Sequence, residues 1–98
     1  MEVRFHKQVQ TDLNEALDYY YEISPELEDD FYKEFKLGVQ RVLDNPLRYP
    51  FDLTNLRRYN LGRFPYHYLY DISDEIIRIW VLRHDRRRPE FGSKRFTE

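Results

Sequence analysis

Strict period-two alternation over residues 64–72, followed by an almost unbroken β-branched run, restricts this chain to folds with a β-hairpin near their centre. Phe64, Tyr66, Tyr68, Tyr70 and Ile72 alternate with Pro65, His67, Leu69 and Asp71, the pattern of a strand with one buried face. Ser73-Asp74-Glu75 is the expected turn. The second run, Ile76-Ile77-Arg78-Ile79-Trp80-Val81-Leu82, reads as a central strand covered on both faces, with Trp80 in the core. It ends in Arg83-His84-Asp85-Arg86-Arg87-Arg88-Pro89, which places four arginines within six residues beside a histidine. A functional surface is expected there.

The 98 residues are expected to form a single domain over 1–98, because a chain this short buries only about two thirds of its unfolded surface. Every large apolar residue then matters, and 17% aromatic residues with three glycines favour a compact core built largely on tyrosine. With no cysteine, disulfides and thiolate zinc sites are excluded. The start, Met1-Glu2-Val3-Arg4-Phe5, lacks the apolar run of a signal peptide, and no stretch is apolar enough to span a membrane. A cytoplasmic protein with no membrane partner is the expectation.

Residues 3–9 alternate Val3, Phe5, Lys7 and Val9 with polar neighbours, as an edge strand does. Asp12 with Glu15 has the spacing of a capping box, and Leu13, Ala16, Leu17, Tyr20 and Ile23 recur at helical spacing behind it. Ser24-Pro25 marks a second start, with serine as N-cap and proline at the first helical position. Leu27, Phe31, Phe35, Gly38, Val39, Val42 and Leu43 form its apolar stripe, which Asp44-Asn45-Pro46 ends. An irregular connection, Leu47 to Asn55, leads to a strand over Leu56 to Leu61. The predicted fold class is α+β, in the order β-α-α-β-β-β: an N-terminal αα-hairpin packed on one face of a small, mostly antiparallel sheet. Residues 91–98 either dock as a tail or stay mobile.

Charge divides along the same line. Residues 1–45 carry five Lys/Arg against eleven Asp/Glu, a net −6, whereas residues 46–98 carry eleven against seven, a net +4. Screening over about 8 Å lets the basic half attract an anionic partner independently of the acidic hairpin; the other reading is an ordinary mixed surface.

In this order and spacing, Phe64-Pro65-Tyr66 with Tyr70, and His84 with Arg86, Arg87 and Pro89, resemble the ParE/RelE toxin superfamily of bacterial type II toxin–antitoxin modules, the plasmid-stabilisation proteins. The resemblance covers nearly the whole chain. It implies a toxin neutralised by a cognate antitoxin, with no metal or cofactor, in a hetero-oligomer of the two. RelE-like members cleave mRNA on the ribosome with the 2′-hydroxyl as nucleophile; ParE-like members inhibit DNA gyrase. Arg58 matches a basic position of the RelE pattern, and its late arginine falls on Arg86 or Arg87. Two further basic positions are His67 and Asn60 here, and Gly92 or Ser93 stands where a C-terminal aromatic is expected. That incomplete set favours the ParE-like, gyrase-inhibiting mode, with a metal-independent mRNA interferase or a relic that only binds antitoxin as the alternatives.

Candidate catalytic groups are therefore His84, Arg86, Arg87 and Arg58. Candidate target- or phosphate-binding groups are Arg58, Arg63, Arg83, Arg86, Arg87 and Arg88, because the guanidinium fork matches carboxylate and phosphate. His84, with an ordinary pKa of about 6.5, suits proton transfer, or else simply ends its strand. His67 lies on the less apolar face of its strand and reads as a surface histidine. Tyr19-Tyr20-Tyr21 cannot all be buried, since consecutive helical residues point about 100° apart.

Overall fold

A computed structural model describes residues 1–97 of the chain. The elements are β1 (Glu2–Phe5), α1 (Val9–Ile23), α2 (Pro25–Asp44), β2 (Arg57–Asn60), β3 (Tyr66–Ser73), β4 (Ile76–His84) and a last helical turn, α3 (Lys94–Thr97). The strands form one sheet in the order β1-β4-β3-β2, antiparallel except for the parallel pair β1 and β4. This is the expected α+β fold. Among the described residues no helix is long and apolar enough to cross a membrane.

The first strand is shorter than its alternation suggested. It ends at Phe5, and α1 begins at Val9 with Gln8 at the N-cap position. Asp12 is consequently not a cap but lies buried one turn inside the helix. The second start signal behaves as read: the Ser24 hydroxyl accepts from the Leu27 N–H at 3.1 Å, and Pro25 opens α2. One face of each helix is buried, through Val9, Leu13, Ala16 and Tyr20 on α1 and Phe31, Phe35 and Val42 on α2. Tyr19 and Tyr21 are exposed while Tyr20 is buried, and Ile23, placed on the apolar stripe by spacing, is exposed at the helix end.

Tyrosine fills the space between hairpin and sheet. Tyr59, Tyr68 and Tyr70 are buried beneath α2, and their hydroxyls need partners there. Tyr68 donates to the Phe35 carbonyl, Tyr70 donates to the Pro46 carbonyl at 2.7 Å, and Tyr59 accepts from Arg41 Nη1 at 3.3 Å. Each phenol thus brings apolar bulk, worth about 1.5–3 kcal/mol for a fully buried large side chain; Tyr59 and Tyr68 tie the sheet to the second helix, and Tyr70 ties it to the connection just beyond. Gly38 is what allows this approach. A Cβ there would stand 2.7 Å from the Tyr59 ring and 2.9 Å from the Tyr68 oxygen.

The alternation of β3 predicts one buried face, but both are covered. His67, Tyr68, Leu69 and Tyr70 are all buried, because a second apolar cluster, Leu56, Leu69 and Val81 with Trp80, Phe91 and Phe96, seals the face opposite the hairpin. The tail docks there. Trp80 belongs to this lesser cluster, partly buried, with its indole N–H donating to Asp71 at 3.0 Å. A β-bulge explains its position: Leu69 pairs with Val81 but Tyr70 with Ile79, so Trp80 is the extra residue. Ile77 and Ile79 face the hairpin, Trp80 and Val81 both face the tail, and Leu82 faces the hairpin again. The bulge thereby resets the side-chain alternation, so that Arg83 shares the tail-side face with His67. The turn between β3 and β4 joins Ser73 to Ile76, with positive φ at both Asp74 (53°) and Glu75 (62°), the requirement of a type I′ turn.

Candidate functional site

The end of the sheet that carries the arginines is built around a polar chain that spacing did not reveal. His67 on β3 and Arg83 on β4 are directly paired across the strands. Arg83 Nε donates to His67 Nε2 at 2.9 Å, and His67 Nδ1 lies 2.8 Å from Asp85 Oδ1. Asp85 also accepts from Arg58 Nη2 on β2 at 3.3 Å. At the other end Arg83 Nη2 reaches Asp52 Oδ2 at 3.3 Å, and Arg83 Nη1 donates to the Pro89 and Phe91 carbonyls at 2.7 and 3.3 Å. Asp52 is itself held in an Asx turn by the Thr54 N–H at 2.6 Å and the Thr54 hydroxyl. Two guanidinium groups and two carboxylates thus balance around one imidazole.

These contacts revise the reading of two residues. His67 is 1% exposed and internal, not a surface histidine. The reason is the tail and the 50–56 loop, which cover the face that its sequence neighbours alone left open. Arg83, expected among the exposed anion-binding arginines, is 5% exposed with its donors committed inside the chain. Burial lowers its pKa from the usual arginine value, with Asp52 opposing the shift. Burial also lowers the His67 pKa; the Asp85 hydrogen bond works against this, and the charges of Arg58 and Arg83 add to it.

Arg86, Arg87 and Arg88 are exposed on the turn that follows β4. The turn is held at three points: Asp85 N–H to the Pro65 carbonyl at 2.8 Å, Arg86 N–H to His84 Nδ1 at 3.0 Å, and Arg87 N–H to the His84 carbonyl at 2.9 Å. His84 therefore ends its strand by accepting from the turn, and its ring lies 5.1 Å, edge to face, from Tyr66. Arg87 packs over the Phe91 ring at 4.5 Å and approaches Glu15 of α1 at 3.9 Å.

Two depressions flank this turn. One, between α1 and β4, is lined by Glu15, Tyr19, Tyr66, His84 and Arg87. The other, below the 50–53 loop, is lined by Leu53, Arg58, His67, Arg83, Asp85 and Arg87. Arg87 borders both, whereas His84 and Arg58 are divided between them. Arg63 stands apart, directed to Asp30 of α2 at 3.4 Å. Among the described residues no group of His, Cys, Asp and Glu side chains could hold a metal ion.

The tail adds a second buried pair. Arg95 reaches Asp12 in bidentate fashion at 2.5 and 3.0 Å and donates to the Trp80 carbonyl at 3.1 Å, while Asp12 also accepts from the Leu82 N–H at 3.2 Å. β1 pairs with β4 only as far as Ile79, so the open edge beyond it is satisfied by these two side chains in place of a strand.

Comparison with known proteins identifies the family. The family model for the ParE toxin of type II toxin–antitoxin systems matches residues 3–89. Toxin ParE2 of Mycobacterium tuberculosis, in strains CDC 1551 / Oshkosh and ATCC 25618 / H37Rv, is 32% identical over 88 residues, covering 89% of this chain and 84% of that protein. Matched almost end to end by the family model and by this relative, the chain belongs to the ParE toxin family of type II toxin–antitoxin systems.

Proposed function

We propose that this chain, the toxin of a pair with an antitoxin as its partner, acts in the cytoplasm by binding DNA gyrase, and that Arg58, Arg86, Arg87 and Arg88 carry the contact. The observation that supports a binding mode over RNA cleavage is the state of the two histidines. The His67 ring is enclosed, with both nitrogens committed, and His84 Nδ1 accepts from the turn while its ring borders a different depression from Arg58. Cleavage through a 2′-hydroxyl needs a proton acceptor, a proton donor and cations converging on one phosphate. Here Arg58 and Arg87 border one depression, but the only histidine in it is enclosed, and Arg86, Arg87 and Arg88 project from an exposed turn, an arrangement suited to an acidic protein surface. The antitoxin is proposed to neutralise the toxin by folding an acidic segment onto the same basic half.

Gyrase supercoiling with purified toxin, and primer extension on translated mRNAs after induction without antitoxin, test the target. The expected result is blocked supercoiling with intact transcripts. Arg86→Ala and Arg87→Ala should remove growth arrest while changing stability by no more than about 0.5 kcal/mol, as exposed substitutions do. Codon-dependent cleavage that disappears in Arg87→Ala would overturn the binding mode in favour of the ribonuclease. Growth arrest that survives both alanine variants would overturn the assignment of the turn.

A further inference from the structure

Besides the backbone N–H bonds that shape the turn, the segment carrying the three exposed arginines has two side-chain anchors, and both lead back to one ring. At one end Asp85 is held by His67 Nδ1 and Arg58; at the other, the Pro89 carbonyl is held by Arg83, whose Nε rests on His67 Nε2. A guanidinium can only donate, so Nε2 must be an acceptor and the single imidazole proton must sit on Nδ1, donated to Asp85. The hydrogen-bond pattern thus dictates the tautomer and the neutral state together. We propose that His67 is the positioning residue of the arginine turn, and that it performs this role only as the neutral Nδ1–H tautomer, so that protonation detaches residues 85–91 from the sheet while the core remains folded. This rests on the preceding reading only in taking the turn as the contact surface.

A proton arriving at Nε2 would face the Arg83 N–H across 2.9 Å and add a positive charge between Arg58 and Arg83. The groups around the ring are Asp85 and Arg58 on one side and Arg83 on the other, with Asp52 and Glu90 acting on Arg83. Only Asp85 favours the charged ring directly, and it accepts from Nδ1–H in both states, so it offers the added Nε2 proton no partner. The core has no such dependence, since the hairpin packs on the opposite face of the sheet through the apolar cluster and the tyrosine hydroxyls. A histidine whose pKa is depressed in the closed state stabilises that state above its open-state value of about 6.5. This contribution is lost as pH falls through that value towards the closed-state pKa. Over the window the opening equilibrium of the turn should rise by up to about tenfold per pH unit, the limit for one proton.

Nuclear magnetic resonance on the full chain between pH 7.5 and 5 tests this without reference to any target. Ring nitrogen shifts report the His67 tautomer, and amide exchange of Asp85, Arg87 and Phe91 reports the turn. The expected result is an Nδ1–H ring at pH 7.5 and a turn whose exchange accelerates, relative to the core amides, as the ring protonates. His67→Asn, whose amide offers both an N–H donor group and a carbonyl acceptor and does not titrate, should abolish the pH dependence. An Nε2–H ring at neutral pH in the parent overturns the proposal whether or not the variant folds. So does exchange of the turn that fails to follow the ring. If the turn follows the ring but gyrase inhibition does not weaken at the lower pH, the positioning stands and the contact surface is wrong.

Discussion

Replacing Asp12 by alanine probes the tail latch most directly. The carboxylate, with a side chain 4% exposed, accepts two bonds from Arg95, whose side chain is 10% exposed, and one from the Leu82 N–H. Removing it leaves a buried guanidinium without its counter-charge, which costs about 3–5 kcal/mol. The stranded strand-edge N–H adds about 1–3 kcal/mol unless water reaches it. A domain of this size has about 5–15 kcal/mol in total, so the variant should retain about half of its stability and lose roughly 12 °C or more in Tm. Urea denaturation followed by circular dichroism gives the number. Arg95→Met leaves the carboxylate in place to hold the Leu82 N–H and should cost less than Asp12→Ala. The double variant should be less destabilised than the sum of the two, because the lone buried charge is gone. A midpoint for Asp12→Ala within a few degrees of the parent, with an unchanged denaturant slope, would refute the claim that this pair replaces a strand at the β4 edge.

Two further outcomes follow from the tyrosine layer. Gly38→Ala should destabilise by about 1–3 kcal/mol through contact with the Tyr59 and Tyr68 rings, less up to about 1 kcal/mol returned by the better helix propensity of alanine, and thermal melting reads the balance. A net gain in stability would show that the rings can give way. Burial raises the pKa of Tyr20 and Tyr70 to about 12, from an unfolded value of about 10. Their contribution is therefore present below pH 10 and lost as pH rises through the interval to 12. Unfolding and tyrosinate absorbance should then rise together in an alkaline titration; gradual ionisation of all nine tyrosines near the ordinary value, with the fold intact, contradicts this.

Local chemistry made much of the fold legible. Ser24-Pro25 starts α2 because its signal is complete within four residues, and the Asp44-Asn45-Pro46 stop and the β3–β4 hairpin are equally local. The family pattern was legible for the same reason, since it lies in ordered short motifs. The alternation around His67, by contrast, described one strand and could not report what lay over its second face. The capping-box spacing of Asp12 was a true local pattern overridden by a distant partner, an arginine 83 positions away. A single extra residue at Trp80 decided that Arg83 would face His67 rather than the hairpin. Helix caps, turns and periodicities are determined by the sequence itself because their energies arise among neighbours along the chain. The partners of buried charges were decided by the tertiary structure alone, because an unpaired ion out of water is too costly to leave and its nearest counter-charge depends on register, bulge and the docking of the tail.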